Sequence, residues 1–212
     1  MTRREKSNGK TIFKSTSPRH ISLTVEASLI PAFSQLLQSG FWVKGTVECS
    51  VKSFLCEQIG LAPEYIEKRI QTIFLDGQPV DNVETATLRD GATLSLSAAM
   101  PGLAGAILRR GGYYAAMREQ ISCKGETTSA SMQSGKVLVK LFNLPLQEVG
   151  PIFLRHGIWV ESDKFKDVLK ARADDFQRGC GDVLADGRQF KFKQFLEMDW
   201  GMGDIFLQVK TV

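Results

Sequence analysis

Two four-residue stretches, Gly40-Phe41-Trp42-Val43 and Gly157-Ile158-Trp159-Val160, share one pattern and decide how the fold is predicted. In each stretch a glycine precedes an apolar residue, a tryptophan and a valine, which are residue types that favour β-strands. A glycine before such a run is typical of a helix end. Each stretch therefore predicts a helix that ends at the glycine and a strand that follows it, and we interpret both tryptophans as core residues.

The residues around the two stretches also correspond. A strand pattern of period two and a proline-led helix precede each stretch, and an Asp-Gly pair suited to a tight hairpin turn follows it. The landmarks are Ile21–Val25, Pro31 and Asp76-Gly77 in the first half, and Val137–Leu141, Pro145 and Asp186-Gly187 in the second. Because the order is the same in both halves, the sequence predicts a duplication.

The landmarks divide the 212 residues into four parts. We expect a basic flexible tail at 1–19, a first domain at 20–122, a Ser/Thr/Gly-rich linker at 123–135 and a second domain at 136–212. A chain of this length fits two domains of about 100 residues, each of which can bury its own core. Residues 113–121 fit either a helix or an added strand, and the alternation of Lys191–Phe195 predicts a half-exposed strand.

The segment from Thr46 to Ser97 resembles the β-grasp family of ubiquitin and the bacterial sulfur carriers. Thr46-Val47-Glu48 leads into a predicted helix, Phe74–Val80 is a predicted hairpin, and Leu88–Leu96 resembles the closing turn and strand of that family. The resemblance implies an α+β fold of two β-grasp-like domains, each a mixed sheet packed on one main helix. In the carrier members it also implies a free terminal diglycine that is activated by adenylation.

This chain ends at Val212 without a terminal diglycine. Leu108-Arg109-Arg110-Gly111-Gly112 is similar to the ubiquitin tail, but Tyr113 follows it. Gly111 and Gly112 could serve a sulfur or conjugation carrier only after cleavage behind Gly112. The other interpretation is a connection with positive φ angles, which glycine adopts without a Cβ penalty.

The segment around this diglycine also has the composition of a protein interface. Arginine and aromatic side chains next to aliphatic ones are enriched at the centres of such interfaces. The candidate partner-binding residues are Leu103, Ile107, Leu108, Arg109, Arg110, Tyr113 and Tyr114. With no catalytic motif in the sequence, the leading hypothesis is a non-catalytic protein-binding or modifier-like module whose protein partner is unidentified.

The net charge of +4 is unevenly distributed. The expected tail contains Arg3, Arg4, Lys6, Lys10, Lys14 and Arg19 with Glu5, so it carries +5 and the rest of the chain −1. A near-neutral body argues against a nucleic-acid partner. A second alternative function is nucleic-acid binding through the basic tail itself, which predicts strong salt dependence.

The cysteines and histidines give no metal-binding spacing. Cys49, Cys56, Cys123 and Cys180 form no C-x-x-C pair, and the sequence contains two histidines. Cys49 and Cys56 are predicted to be buried on one face of a helix, and Cys180 to be an ordinary loop cysteine. We therefore expect reduced thiols, a cytoplasmic protein, no metal, no cofactor and no membrane-spanning segment.

Overall fold

The computed structural model describes residues 20–99, 101–114, 133–198 and 200–212. The period-two segments Ile21–Val25 and Val137–Leu141 lie in strands and Pro31 and Pro145 lie in helical segments, so the predicted α+β class is confirmed. The strands are β1 (His20–Val25), β2 (Phe41–Val47), β3 (Cys49–Ser50), β4 (Thr72–Leu75), β5 (Gln78–Pro79), β6 (Thr87–Leu88), β7 (Thr93–Ser97), β8 (Gln133–Leu141), β9 (Ile158–Glu161), β10 (Cys180–Ala185), β11 (Arg188–Phe190) and β12 (Asp204–Thr211).

The helices are short, and two of them adjoin irregular helical segments. A 3-10 turn at Ala27–Phe33 leads into α1 (Ser34–Ser39), and α2 (Val51–Ser53) continues as a π-helical segment at Phe54–Gln58. The others are α3 (Pro63–Lys68), α4 (Gly102–Leu108), α5 (Asn143–Glu148), α6 (Gly150–His156), α7 (Ser162–Ala171), α8 (Ala173–Gly179) and α9 (Phe192–Glu197).

Ten strands of the described residues form one mixed sheet. Their order is β11-β10-β1-β12-β9-β2-β8-β7-β4-β5, and β3 pairs separately with β6. The pairs β1–β12 and β7–β8 are parallel, and all other neighbours in the large sheet are antiparallel.

The two halves of the sequence exchange strands within this sheet. β8, from the second half, lies between β2 and β7 of the first half, and β1, from the first half, lies between β10 and β12 of the second. The expected units at 20–122 and 136–212 therefore do not form separate sheets. Residues 133–135, assigned to the linker, begin β8, whereas the expected tail and linker residues 123–132 lie outside the described residues.

One face of the sheet packs against the helices and forms the core. The Phe41 ring of β2 meets the Phe153 ring of α6 at 5.3 Å between centroids. Farther along the sheet, Phe33 packs against Phe165 of α7 and Phe176 of α8, with centroid distances of 6.4 and 5.8 Å. All five side chains are fully buried, so the helices cover this face with aromatic packing.

The tryptophans lie on the opposite face, which we call the open face. Trp42 and Trp159 are half-buried, whereas their chain neighbours Phe41, Val43 and Ile158 are buried. Successive side chains of a strand point to opposite sides of the sheet. The interpretation of both tryptophans as core residues is therefore wrong, because in each stretch the residues before and after the tryptophan fill the core.

Two further sequence predictions are wrong in their secondary structure. Lys191–Phe195, expected to be a strand, is mostly helix α9, in which Phe192 and Phe195 are buried. Cys49 lies in β3 and Cys56 in the π-helical segment, so they do not share a helix face. The helix begins only after Ser50, whose hydroxyl accepts a hydrogen bond from the Ser53 amide at 3.1 Å, as an N-cap residue does.

Candidate partner-binding site

The predicted partner-binding residues lie on helix α4 and the turn after it. Pro101, at the N-cap position, is extended, and α4 ends at Leu108 because Arg109 returns to extended geometry. The chain then turns sharply: the Gly112 amide donates to the Arg109 carbonyl at 3.1 Å, and Gly111 has a φ of +63°. The segment is therefore a helix followed by a hydrogen-bonded turn.

The turn is fixed to the body of the protein through Arg110. Its backbone amide donates to the Gln71 carbonyl and its guanidinium Nη2 donates to the Ile66 carbonyl, both at 2.8 Å. Burial lowers the pKa of Arg110, while the charges of Glu67 and Asp81 act in the opposite direction. We expected Arg110 to contact a partner, but the structure places it half-buried as the anchor of the segment.

The anchored segment presents large side chains to solvent. The exposed fraction is 92% for Tyr113, 68% for Leu103 and 38% for Tyr114. The two tyrosine rings stand perpendicular to each other with centroids 5.2 Å apart. Arg109 is also exposed, whereas Ile107 and Leu108 are half-buried. The structure thus divides the predicted residues into an exposed set that can meet a partner and a half-buried set, of which Arg110 holds the segment in place.

The diglycine adopts the geometry of a connection. Gly111 needs the left-handed region that disfavours side chains. A Cβ on Gly112 would lie 3.1 Å from the Arg109 carbonyl oxygen, which is tighter than an ordinary contact. Backbone geometry therefore accounts for both glycines, and Gly112 remains amide-bonded to Tyr113.

Two exposed apolar residues that the sequence prediction missed lie at the same end of the sheet. Phe142 and Leu144, which follow β8, are 37% and 44% exposed. Between them, Asn143 donates from Nδ2 to the Ser97 hydroxyl at 2.8 Å. Ser97 ends β7, which is parallel to β8 and precedes α4, so both strands end near the candidate segment. The sequence signal that could have identified them is a pair of apolar residues that flank an asparagine directly after a predicted strand.

A polar cluster joins the two halves of the sequence beside this site. Glu148 of α5 accepts hydrogen bonds from the Tyr65 hydroxyl at 2.8 Å and Arg69 Nε at 3.2 Å, and Arg69 Nη2 also forms an ion pair with it. Arg69, followed by Tyr65, lowers the pKa of Glu148, while burial is the main cause that raises the pKa of Tyr65. A protonated phenol and an ionised carboxylate suit a structural link between α3 and α5.

Of the three described cysteines, Cys49 is buried as predicted, whereas Cys56, also predicted to be buried, and Cys180 are half-buried. Burial, reinforced by Asp182, raises the pKa of the Cys180 thiol to about 11. Burial also raises the thiol pKa of Cys49 and Cys56, and none of these three cysteines is in a disulfide. Because the thiolate is the reactive form, these thiols have little nucleophilic character near neutral pH. Cys180 begins β10, whereas a loop was expected.

The described part of the chain contains no group of three or more His, Cys, Asp or Glu side chains arranged to hold a metal ion. Among the same residues, no helix has both the length and the apolar character needed to cross a membrane. Comparisons of the chain with protein-family models, with curated proteins and with solved structures give no match. The functional interpretation therefore depends on the geometry of the chain itself.

Proposed function

We propose that this protein is a non-catalytic protein-binding or modifier-like module, and that Leu103, Tyr113 and Tyr114 contact its partner. The main support is the 92% exposure of the Tyr113 ring on a segment that Arg110 fixes in place. Large aromatic side chains are the residues that most often dominate binding energy. Because the backbone is already held, binding of a partner would cost little conformational entropy for ordering it.

The surface around these side chains fits a partner with an apolar pocket. Phe142 and Leu144 are further exposed apolar residues, located after the end of β8, and exposed Arg109 supplies a charge within the segment. An apolar centre with a polar rim is the usual organisation of a protein interface. A protein partner is therefore the class that this surface favours.

We also propose that the scaffold consists of two β-grasp-like halves that have exchanged strands. Each half of the large sheet has five strands with one parallel pair, β7–β8 in one half and β1–β12 in the other. A mixed sheet of this kind, with helices on one face, is what the resemblance to the β-grasp family implies. The Asp-Gly turns and the tryptophan strands β2 and β9 correspond between the two halves of the sheet, whereas β1 corresponds in position to β7 and not to β8.

The alternative carrier function has less support. Activation of a β-grasp carrier needs a free terminal carboxylate, whereas Gly112 is bonded to Tyr113 and lies in a hydrogen-bonded turn. A peptide carbonyl cannot be adenylated in place of that carboxylate. Only a cleaved chain could follow the carrier route, and intact mass of the protein from its native cells distinguishes the two possibilities.

The test is partner capture from extract of the native cells. The full-length protein, the double variant Leu103→Ala/Tyr113→Ala and the control Leu184→Ala serve as baits, and captured proteins are quantified by mass spectrometry. Leu184 is also exposed, at 37%, but lies on β10, next to the opposite edge strand of the sheet. We expect the double variant to reduce capture of a specific protein tenfold or more, because one anchoring side chain is worth about 2 kcal/mol.

The control should retain that partner, and both variants should keep the melting temperature of the unmodified protein because the changed side chains are exposed. Capture that is equal for all three baits would contradict the proposed surface. A covalent adduct through Gly112 would establish the carrier function instead.

A further inference from the structure

The open face of the sheet carries a row of rings in direct register across neighbouring strands. His20 pairs with Phe206, Phe206 with Trp159, Trp159 with Trp42, and Trp42 with Leu138. The Phe206 centroid lies 5.0 Å from that of His20 and 5.4 Å from that of Trp159. Since adjacent strands are about 4.8 Å apart, the four rings from His20 to Trp42 span about 14 Å. We call these four residues, together with Leu138 at the end of the series, the ring row.

Two lysines lie over this row and oppose each other. Lys44 of β2 and Lys136 of β8 are register partners, and both are exposed. The Lys44 ammonium lies 3.5 Å from the Trp159 ring centroid, and that of Lys136 lies 4.4 Å from the Trp42 centroid. Like charges at directly opposite positions destabilise a sheet. The cation–π contacts offset part of this repulsion.

No carboxylate of the described residues forms a salt bridge with either ammonium group. On the other side of the row, Lys140 of β8 is half-buried, and the nearby carboxylate Glu161 is engaged by Lys164 at 2.7 Å. Around Lys44 and Lys136 the surface thus combines ring faces with two ammonium groups that lack a salt bridge among the described residues. Asp90 accepts a hydrogen bond from the Lys136 backbone amide at 2.8 Å, and exposed Asp204 pairs with Glu161 at the other side of the row. In the sequence, the +5 stretch at 1–19 directly precedes His20.

We propose that this face binds single-stranded nucleic acid, with bases stacked on the rings of Trp42, Trp159 and Phe206 and phosphates at Lys44 and Lys136. Aromatic side chains on a surface lined by cations are the recurring device for holding single strands without sequence preference. Each lysine would move from its indole to a phosphate, which exposes the ring face to a base. This surface lies apart from the Leu103–Tyr114 segment and would be a second binding function.

An acidic protein segment fits this face less well. It would neutralise the lysines, but it offers no planar group for each ring of the row. The near-neutral charge of the body, which argued against nucleic acid from sequence, is an average over all faces. Lys44 and Lys136 place two positive charges over one side of the row although the body as a whole carries −1, while Glu161 and Asp204 lie at its other side.

The test is fluorescence anisotropy of labelled 15-nucleotide oligo(dT) and oligo(rU) with the full-length protein at several salt concentrations. We expect binding of at least one oligonucleotide, with affinity that falls steeply as salt rises. Lys44→Gln/Lys136→Gln should weaken it tenfold or more and reduce the magnitude of the log–log salt slope by about 1.4, since each lost phosphate contact on a single strand contributes about 0.7. The melting temperature of the Lys44→Gln/Lys136→Gln variant should be unchanged or higher, because two like charges at opposed positions are removed.

Lys170→Gln/Lys193→Gln is the matched control, because it removes the same charge from exposed positions on α7 and α9, away from the open face. It should bind like the unmodified protein, as should Leu103→Ala/Tyr113→Ala. Trp42→Leu, checked for an unchanged melting temperature, should weaken binding as well.

Four results would overturn the proposal. The first is that neither oligonucleotide binds at about 50 mM salt. The second is that Lys170→Gln/Lys193→Gln weakens binding as much as Lys44→Gln/Lys136→Gln does. The third is that deletion of residues 1–19 abolishes binding while Lys44→Gln/Lys136→Gln has no effect, which would assign the activity to the tail. The fourth is that a poly-glutamate peptide competes as well as the oligonucleotides do, which would remove the role of the bases.

Discussion

The half-sheet β2-β8-β7-β4-β5 and the half-sheet β9-β12-β1-β10-β11 have corresponding landmarks although each contains a strand of the other sequence half. Asp76 and Asp186 both have a φ of +50° in their hairpin turns. Asp76 accepts a hydrogen bond from the Thr93 amide at 2.7 Å, and Asp186 accepts one from the His20 amide at 2.9 Å. β7 and the exchanged β1 therefore occupy corresponding positions, which teaches that local turn chemistry is independent of where the next strand comes from.

The half-sheets differ in what covers the strand beside that turn. Thr72 of β4 is fully buried, next to the anchored α4 segment, whereas the corresponding residue of β10, Asp182, is exposed. Phe74 of β4 is half-buried, and its counterpart Leu184 is 37% exposed. The half-sheet that contains β4 thus carries an added segment, α4 and the turn after it, and this segment presents Tyr113.

The glycines before the two tryptophan strands provide the sharpest test of the correspondence. A Cβ on Gly157 would lie 2.2 Å from the Phe206 ring, whereas a Cβ on Gly40 would lie 3.2 Å from the flexible ends of Leu138 and Lys140. Both glycines have positive φ, so both substitutions add backbone strain. We expect Gly157→Ala to lower the free energy of unfolding by about 3 kcal/mol and Gly40→Ala by about 1.5 kcal/mol, measured by urea denaturation.

Gly187→Ala is the control for backbone strain alone, because Gly187 has a φ of +77° and a Cβ added there would meet nothing within 4 Å. An equal loss of unfolding free energy in Gly157→Ala and Gly40→Ala would contradict this expectation. It would mean that the clash with the Phe206 ring costs no more than the contact with Leu138.

A smaller effect is expected at the polar cluster that joins the halves. Glu148→Gln should lower the melting temperature by about 2 °C at neutral pH, because this partly exposed ion pair is screened by solvent. Arg69 and Tyr65 lower the pKa of Glu148 below its value in the unfolded chain. Its stabilisation is therefore present above the unfolded pKa and is lost as the pH falls through the folded pKa.

Thermal melts over a pH series measure this effect, with Glu197→Gln as the control at an exposed carboxylate of α9. The difference between Glu148→Gln and the unmodified protein should disappear at acidic pH. A difference that persists below the pKa of the carboxylate would mean that its charge does not stabilise the link.

Local elements were predictable because each depends on a few neighbouring residues. Asp76-Gly77 forms the predicted hairpin turn, and α1 and α6 end before Gly40 and Gly157 as expected. The partner of a strand was not predictable in this way. Ile21–Val25 buries Ile21, Leu23 and Val25 whichever sheet it joins, so its period-two pattern contains no information about the exchange.

The candidate surfaces were predictable only in part. The composition of the Leu103–Tyr114 segment identified the exposed Tyr113, but composition does not reveal that Arg110 hydrogen-bonds to Ile66, 44 residues away. The ring row depends on the same kind of long-range pairing. Trp42 and Trp159 become register partners only because β2 and β9 meet in the centre of the sheet.

The exchange of β1 and β8 is tested most directly by cutting the chain between the two sequence halves. A site-specific protease sequence introduced between residues 115 and 132 leaves every described strand intact. We expect the cut fragments to co-elute in native size-exclusion chromatography and to separate only in denaturant, because each buries apolar side chains of its exchanged strand in the other fragment. Fragments that separate under native conditions into two independently folded species would contradict the exchange.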